Sequence, residues 1–159
     1  MHEERKILGL ISDTHGLLRE EALRALHGSD VILHAGDVGT PEILDALRSL
    51  APVIAVRGNV DTGGWTKALP LSEVIQAGPV CIYMLHILND LDINPVAMGI
   101  NIVVCGHSHE PSQSEKDGVV YINPGSAGSK RFQLPVTVAR LDLGIRPWKA
   151  EFIHLTDKG

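Results

Sequence analysis

Apolar residues along this chain fall into short, nearly unbroken runs separated by polar or helical stretches. "KILGLIS" at residues 6–12 is such a run and predicts a strand buried on both faces. "LLREEALRALHG" follows, with Leu18, Ala22 and Leu26 at helical spacing and Gly28 as a stop. "DVILHAG" predicts a second strand. "TPEILDALRSL" predicts a second helix, with Pro41 in its first turn and Ile43, Leu44, Leu47 and Leu50 on one face. "PVIAVRG" predicts a third strand. This β-α-β-α-β order argues for parallel pairing with right-handed crossovers.

After Asp61 the rhythm changes. "LSEVIQAG" and "PVCIYMLH" predict a hairpin turning at Gly78-Pro79, and "LNDLDINPVAMG" is expected to be helical, with Pro95 breaking or starting a turn of it. "INIVVCG", "GVVYINPGS", "PVTVARLDL" and "WKAEFIHL" predict further strands, in a more antiparallel second half. With no linker or repeat, residues 1–159 read as a single domain. The expected fold is α/β: two packed β-sheets flanked by helices, a sandwich rather than a barrel.

The strand exits carry the chemistry. "GLIS" ends in Asp13-Thr14-His15, "VILHAG" in Asp37, "VIAVRG" in Asn59, "VCIYML" in His86 and "NIVVCG" in His107-Ser108-His109. Carboxyl ends of strands in open α/β sheets face a common crevice, so these exits can converge on one site. Residues i and i+2 of an extended segment share a side, which pairs Asp13 with His15 and His107 with His109. Two carboxylates, four imidazoles and one amide exceed what one metal needs, and they suit two divalent ions sharing a carboxylate. Each piece alone has a plainer explanation: Asp13 as a helix cap, Asn59 as a turn residue, His86 as a hydrogen-bonded core histidine. Their recurrence after strand upon strand favours the metal site.

Composition narrows the function. A net charge of −5, with eight histidines left neutral, argues against a polynucleotide groove, which needs clustered Lys and Arg. The basic residues Lys130, Arg131, Arg140, Arg146 and Lys149 are dispersed. Cys81 and Cys105 lie inside apolar runs and read as free thiols of a reducing compartment. The start "MHEERKILGLISD" lacks a signal-peptide pattern and no apolar run reaches membrane-span length. A cytoplasmic location with no membrane partner is expected.

The ordered set Asp13-x-His15, Gly36-Asp37, Gly58-Asn59, His86 and Gly106-His107-Ser108-His109 resembles the calcineurin-like metallophosphoesterases. The small size and the "GNVD" and "NPGS" segments are most similar to their compact YfcE-type phosphodiesterase branch, which also includes a non-catalytic retromer subunit. The resemblance implies an αββα sandwich and a metal-dependent phosphoesterase, a phosphodiesterase before a monoesterase. It implies two divalent ions, Mn first and Fe, Zn, Ni or Co as alternatives. Asp13, His15 and His109 would hold the first, and Asn59, His86 and His107 the second, with Asp37 bridging. Asp37, Asn59 and His107 would form the catalytic set around a metal-bridging hydroxide. His34 resembles a residue supporting the ligands, although a strand histidine bonded to backbone explains it equally. The implied partner is a small phosphodiester or phosphate ester. A homo-oligomer is compatible with the sequence, and a protein-interaction scaffold is the alternative from another class.

Two positions depart from the family pattern. Ile87 stands where a glycine usually follows the metal-binding histidine, which puts the second-metal geometry in question. Val60 stands where many superfamily members place a proton-donating histidine. With no donor at Val60, aryl diesters should be hydrolysed much faster than alkyl diesters, and equal rates for the two would refute that reading.

Overall fold

Burial follows the apolar runs. The computed structural model describes residues 6–131 and 133–155. Strands β1 (Ile7–Ile11), β2 (Val31–His34) and β3 (Val53–Ala55) pair in parallel, with Leu10 beside Leu33 and Leu33 beside Ile54. Their crossovers are helices α1 (Glu20–Leu26) and α2 (Pro41–Arg48). Thr40 is extended, and Pro41, with φ preset for a helix, begins α2. Ile43, Leu44 and Leu47 then form its buried stripe.

Strands β4 (Ser72–Ala77) and β5 (Val80–Leu85) form the expected antiparallel hairpin. Then follow β6 (Ile102–Val104), β7 (Ser112–Lys116), β8 (Val119–Asn123), β9 (Thr137–Asp142) and β10 (Glu151–His154). The described residues make two mixed five-stranded sheets, in the orders β10-β9-β1-β2-β3 and β4-β5-β6-β8-β7. In the second, β5, β6 and β8 are parallel, so the second half is less antiparallel than its sequence suggests.

Strand alternation sends each sheet's two faces to different cores. Leu8, Leu10, Ile82, Met84, Ile102 and Ile122 meet between the sheets. Ile11, Ile32 and Val138 face away from that layer and pack with Leu26 and Leu47 of the helices. Trp65, from the "TGGWTK" loop, packs against this helix-side core. On the far face of the second sheet, Tyr83, Leu85 and Val103 are covered by Leu91 and Ile93.

Those two covering residues belong to the segment expected to be helical. It forms only a 3₁₀ turn at Leu88–Asp90, followed by an irregular turn. The reason is local: Asn94 Oδ1 accepts from the amides of Val96 and Ala97, a cap that starts a separate turn at Pro95, and Gly99 with left-handed φ ends that turn at once. Strand β7 was not expected, because "SQSEK" is exposed throughout and has no apolar alternation. It forms by antiparallel pairing with β8 across the Asp117-Gly118 turn.

Replacing Ile82, fully buried between the sheets, by Ala should cost about 2–5 kcal/mol in urea unfolding. Val74→Ala, on the outer face of the edge strand at 52% exposure, should stay within about 0.5 kcal/mol. Equal costs would contradict this placement of the core.

Candidate metal centre

The two sheets bring the carboxyl ends of their parallel strands to one edge. Asp13, Asp37 and Asn59 come from the exits of β1, β2 and β3, while His86 and His107 come from those of β5 and β6. Backbone conformation at these exits is unusual. Asp13, His15, Asp37, His107 and His109 all have left-handed φ between 47° and 73°. Asp117 is the one other non-glycine with positive φ among the described residues. Each such residue costs roughly 1 kcal/mol or more, so surrounding contacts must enforce the turns.

Reciprocal hydrogen bonds supply part of that enforcement. Asp61, buried, accepts from the amides of Val38 (3.2 Å), Gly39 (3.1 Å) and Gly58 (2.9 Å). In return, the Val60 amide donates to Asp37 Oδ1 at 3.0 Å. The loops after β2 and β3 thus clasp each other through two carboxylates. They lie so close that a Cβ at Gly58 would run into the Asp37 carboxylate, so only glycine fits there. A third loop is tied in by Asn123, whose Nδ2 donates to the Gly106 carbonyl and to Ser108 Oγ, both at 3.0 Å. Sequence reasoning singled out neither the Asp61 clasp nor these Asn123 bonds; the "GNVD" and "NPGS" segments were the available signals.

Asp13 is fully buried. Its Oδ2 accepts from Ser12 Oγ at 2.7 Å and from the His107 amide at 3.1 Å, which leaves Oδ1 without a hydrogen bond. Around Oδ1 stand three imidazole Nε2 atoms: His109 at 3.3 Å, and His15 and His86 at 3.7 Å each. Asp37 Oδ2 lies 3.0 Å from His86 Nε2 and 3.7 Å from His15 Nε2. His86 Nδ1 donates to the Ala35 carbonyl at 2.7 Å, so in the neutral ring the Nε2 lone pair is free to ligate. Although His86 Nε2 is close to Asp37, it lacks the alignment of a hydrogen bond, and it is unpartnered, as is His15 Nε2.

Buried polar atoms without partners are costly, and here three converge on one spot. Ligands about 2.1 Å from a shared ion lie about 3.0–3.4 Å from one another, close to the spacings seen. Asp13 with His15 and His109, and Asp37 with His86 and His107, each bring ligand atoms within 4.8 Å of one another. The donor set therefore fits divalent cations. Asn59, exposed, lines the cavity beside His86. Ile87 does not remove His86 from its group.

Acids and imidazoles in the cluster shift one another's titration. Burial works to raise the Asp13 pKa but is outweighed by His15, the Ser12 hydroxyl and the charges of His86 and His109, so the net shift is downward. Asp37 is lowered similarly, with His86 and the Val60 amide overcoming burial. For His86, burial opposes the charge, yet Asp37 and Asp13 prevail and raise its pKa. His109 is lowered, by burial first and by the charge of exposed Arg131 among its neighbours. Burial, helped by the charge of Asp13, pushes the Cys105 thiol up to about 11.

Behind the cluster, His34 is fully buried. The Gly36 amide donates to its Nδ1 at 3.1 Å, which places the ring proton on Nε2. That nitrogen donates to Thr14 Oγ1 at 3.0 Å, and Thr14 in turn donates to the Val38 carbonyl at 2.7 Å. Both readings of His34 hold together: it is satisfied partly by backbone, and it braces the loops bearing Asp13 and Asp37.

Residues 7–145 match the calcineurin-like phosphoesterase superfamily domain, and the chain belongs to that family. It is 32% identical over 149 residues to a probable metallophosphoesterase of Methanothermobacter thermautotrophicus, covering 86% of each chain. Two solved structures share the fold. Vps29 of Chaetomium thermophilum has a TM-score of 0.76 at 19% identity, covering 95% of this chain and 98% of its own. A protein described as a novel archaeal phosphodiesterase has a TM-score of 0.72 at 20% identity, covering 92% and 99%.

Burial, opposed by the charges of Asp13, Asp61 and Asp37, holds the His34 pKa down at about 4, from 6.5. Between those values the unfolded chain takes up a proton that the folded chain refuses. The stability linked to His34 is therefore complete above pH 6.5 and lost as pH falls towards 4, by about 3 kcal/mol. Urea unfolding of chelator-treated protein at pH 7 and pH 4 should show this loss, and His34→Gln should remove most of it. The same pH dependence in both proteins would contradict a neutral, buried His34.

Proposed function

We propose that this protein is a phosphodiesterase dependent on two divalent metal ions, with Mn the first candidate and a small phosphodiester as substrate. The observation that carries the proposal is the convergence of Asp13 Oδ1, His15 Nε2 and His86 Nε2, all buried and unpartnered, between two groups of acid and imidazole ligands. Asp13, His15 and His109 would hold one ion, and His86, His107 and Asn59 the other, with Asp37 between them. Bound there, the ions would act as Lewis acids on the phosphoryl oxygens and lower the pKa of water towards about 7.

The chain's own residues set the remaining requirements. His86, braced by the Ala35 carbonyl, presents Nε2 inward, and the Asp37–Val60 bond fixes which oxygen Asp37 turns to the site. Asp37 and Asp13 favour the charged form of His86, so a cation would compete with a proton for its Nε2. Asn59, at the cavity wall, is placed to orient substrate. Val60, 51% exposed, offers no proton to a leaving group, which supports diesters with good leaving groups.

Among the described residues, Arg140 and Arg146 are engaged within the protein itself. Arg140 donates to the carbonyls of Ala25 and His27, and Arg146 lies 4.2 Å over the Trp148 ring. A small ester is favoured over a polynucleotide. Among the described residues no helix is long and apolar enough to cross a membrane.

Metal-stripped protein titrated with Mn²⁺ should hydrolyse bis(p-nitrophenyl) phosphate with activity rising towards two equivalents. Asp37→Asn should lower that activity at least about a hundredfold. Faster turnover of p-nitrophenyl phosphate than of the diester would make the protein a monoesterase. No turnover of either ester by folded protein with several divalent ions would favour the interaction scaffold.

A further inference from the structure

Two cavities adjoin the ligand cluster. One, of about 430 Å³, reaches Asn59 and His86. Its apolar wall is Leu71, Tyr83 and Leu85, and its charged groups are Arg57, Asp90 and Asp92. The other, of about 230 Å³, reaches His107, with Asn89, Ser108, Ser112 and Asn123 as its polar side chains beside Leu88 and Cys105. Ile87 is common to both linings. The residue that departs from the family's glycine is thus the partition between two pockets meeting the same centre.

A phosphomonoester has one organic arm and would leave one cavity to water. A phosphodiester has two, diverging from phosphorus at roughly the tetrahedral angle. We infer that the two cavities receive the two ester arms of an unsymmetrical phosphodiester, with Ile87 as the wall between them. This rests on the diesterase reading and extends it to the class of substrate. The larger cavity takes an apolar or ring-bearing arm. Its two carboxylates against one guanidinium disfavour a second anionic group on that arm.

The smaller cavity takes a hydroxylated arm. Ser108 Oγ already accepts from Asn123 Nδ2 at 3.0 Å and from the Glu110 amide at 3.2 Å. With both lone pairs engaged, its own proton is the group left to offer a ligand oxygen.

The test is binding, which does not depend on turnover. Calorimetry on the Mn-supplemented protein would compare inorganic phosphate, phenylphosphonate and the 3-hydroxypropyl ester of phenylphosphonate, whose phenyl arm hangs on a P–C bond that hydrolysis does not break. In the wild type, each added arm should tighten binding by about tenfold. Ser72→Phe, or Leu71→Trp should that variant not fold, fills the larger cavity and should abolish the gain from phenyl alone. Ser112→Phe fills the smaller one and should abolish the gain from hydroxypropyl alone. Phosphate affinity, measured in every variant, reports whether the centre is intact. If neither arm tightens wild-type binding, or if both gains survive both fillings, the assignment is overturned. Hydrolysis of bis(p-nitrophenyl) phosphate is scored separately. Turnover with fill-insensitive binding keeps the diesterase and rejects the cavities, whereas fill-sensitive binding without turnover does the reverse.

Discussion

Two buried carboxylates facing each other's imidazole partners, with three polar atoms left unsatisfied, set the terms for this molecule. Burying such a cluster is unfavourable unless positive charge occupies its centre. Asp37 and Asp13 favour a charged His86, but the imidazoles leave Asp13 Oδ1 without a hydrogen bond. Nearly every irregular feature at this edge serves to keep the cluster open. The left-handed turns aim the side chains inward, Asp61 and Asn123 pin the loops, and glycine at 58 lets two loops touch.

The rest of the fold makes that expense tolerable. A sandwich with apolar layers between the sheets and beneath the helices can absorb several strained residues at one rim. Rigidity also matters. Asp13 and Asp37 sit on adjacent parallel strands, so their separation follows the strand spacing, while His86 and His107 answer from the opposing sheet. The centre is therefore defined by how the two sheets register against each other, and loop conformation only refines it.

Much of this was legible in the chain. Uninterrupted apolar runs ending in Asp, Asn or His revealed the strands and the ligand candidates, because the residue type changes from apolar to ligating where each strand ends. Asp61 was harder to see, since its partners are backbone amides that any residue type could provide. His34 stayed ambiguous for a related reason: one ring serves both a backbone amide and Thr14. The 88–99 segment misled because its apolar spacing is helical, while Asn94 and Pro95 start a new turn in its middle and so divide it into two short pieces. Strand β7 carried no apolar signal because it is an exposed edge whose hydrogen bonds come from β8.

The division of the site between the sheets also bears on biosynthesis. Asp13, His15 and Asp37 lie in the first quarter of the chain, yet each of their groups needs a histidine at 107 or 109. A ribosome-bound fragment ending anywhere before that point carries the carboxylates without a complete pocket for an ion. Binding of an ion by a complete ligand group thus waits for both sheets to dock, when a wrong ion can be rejected by geometry as well as by affinity.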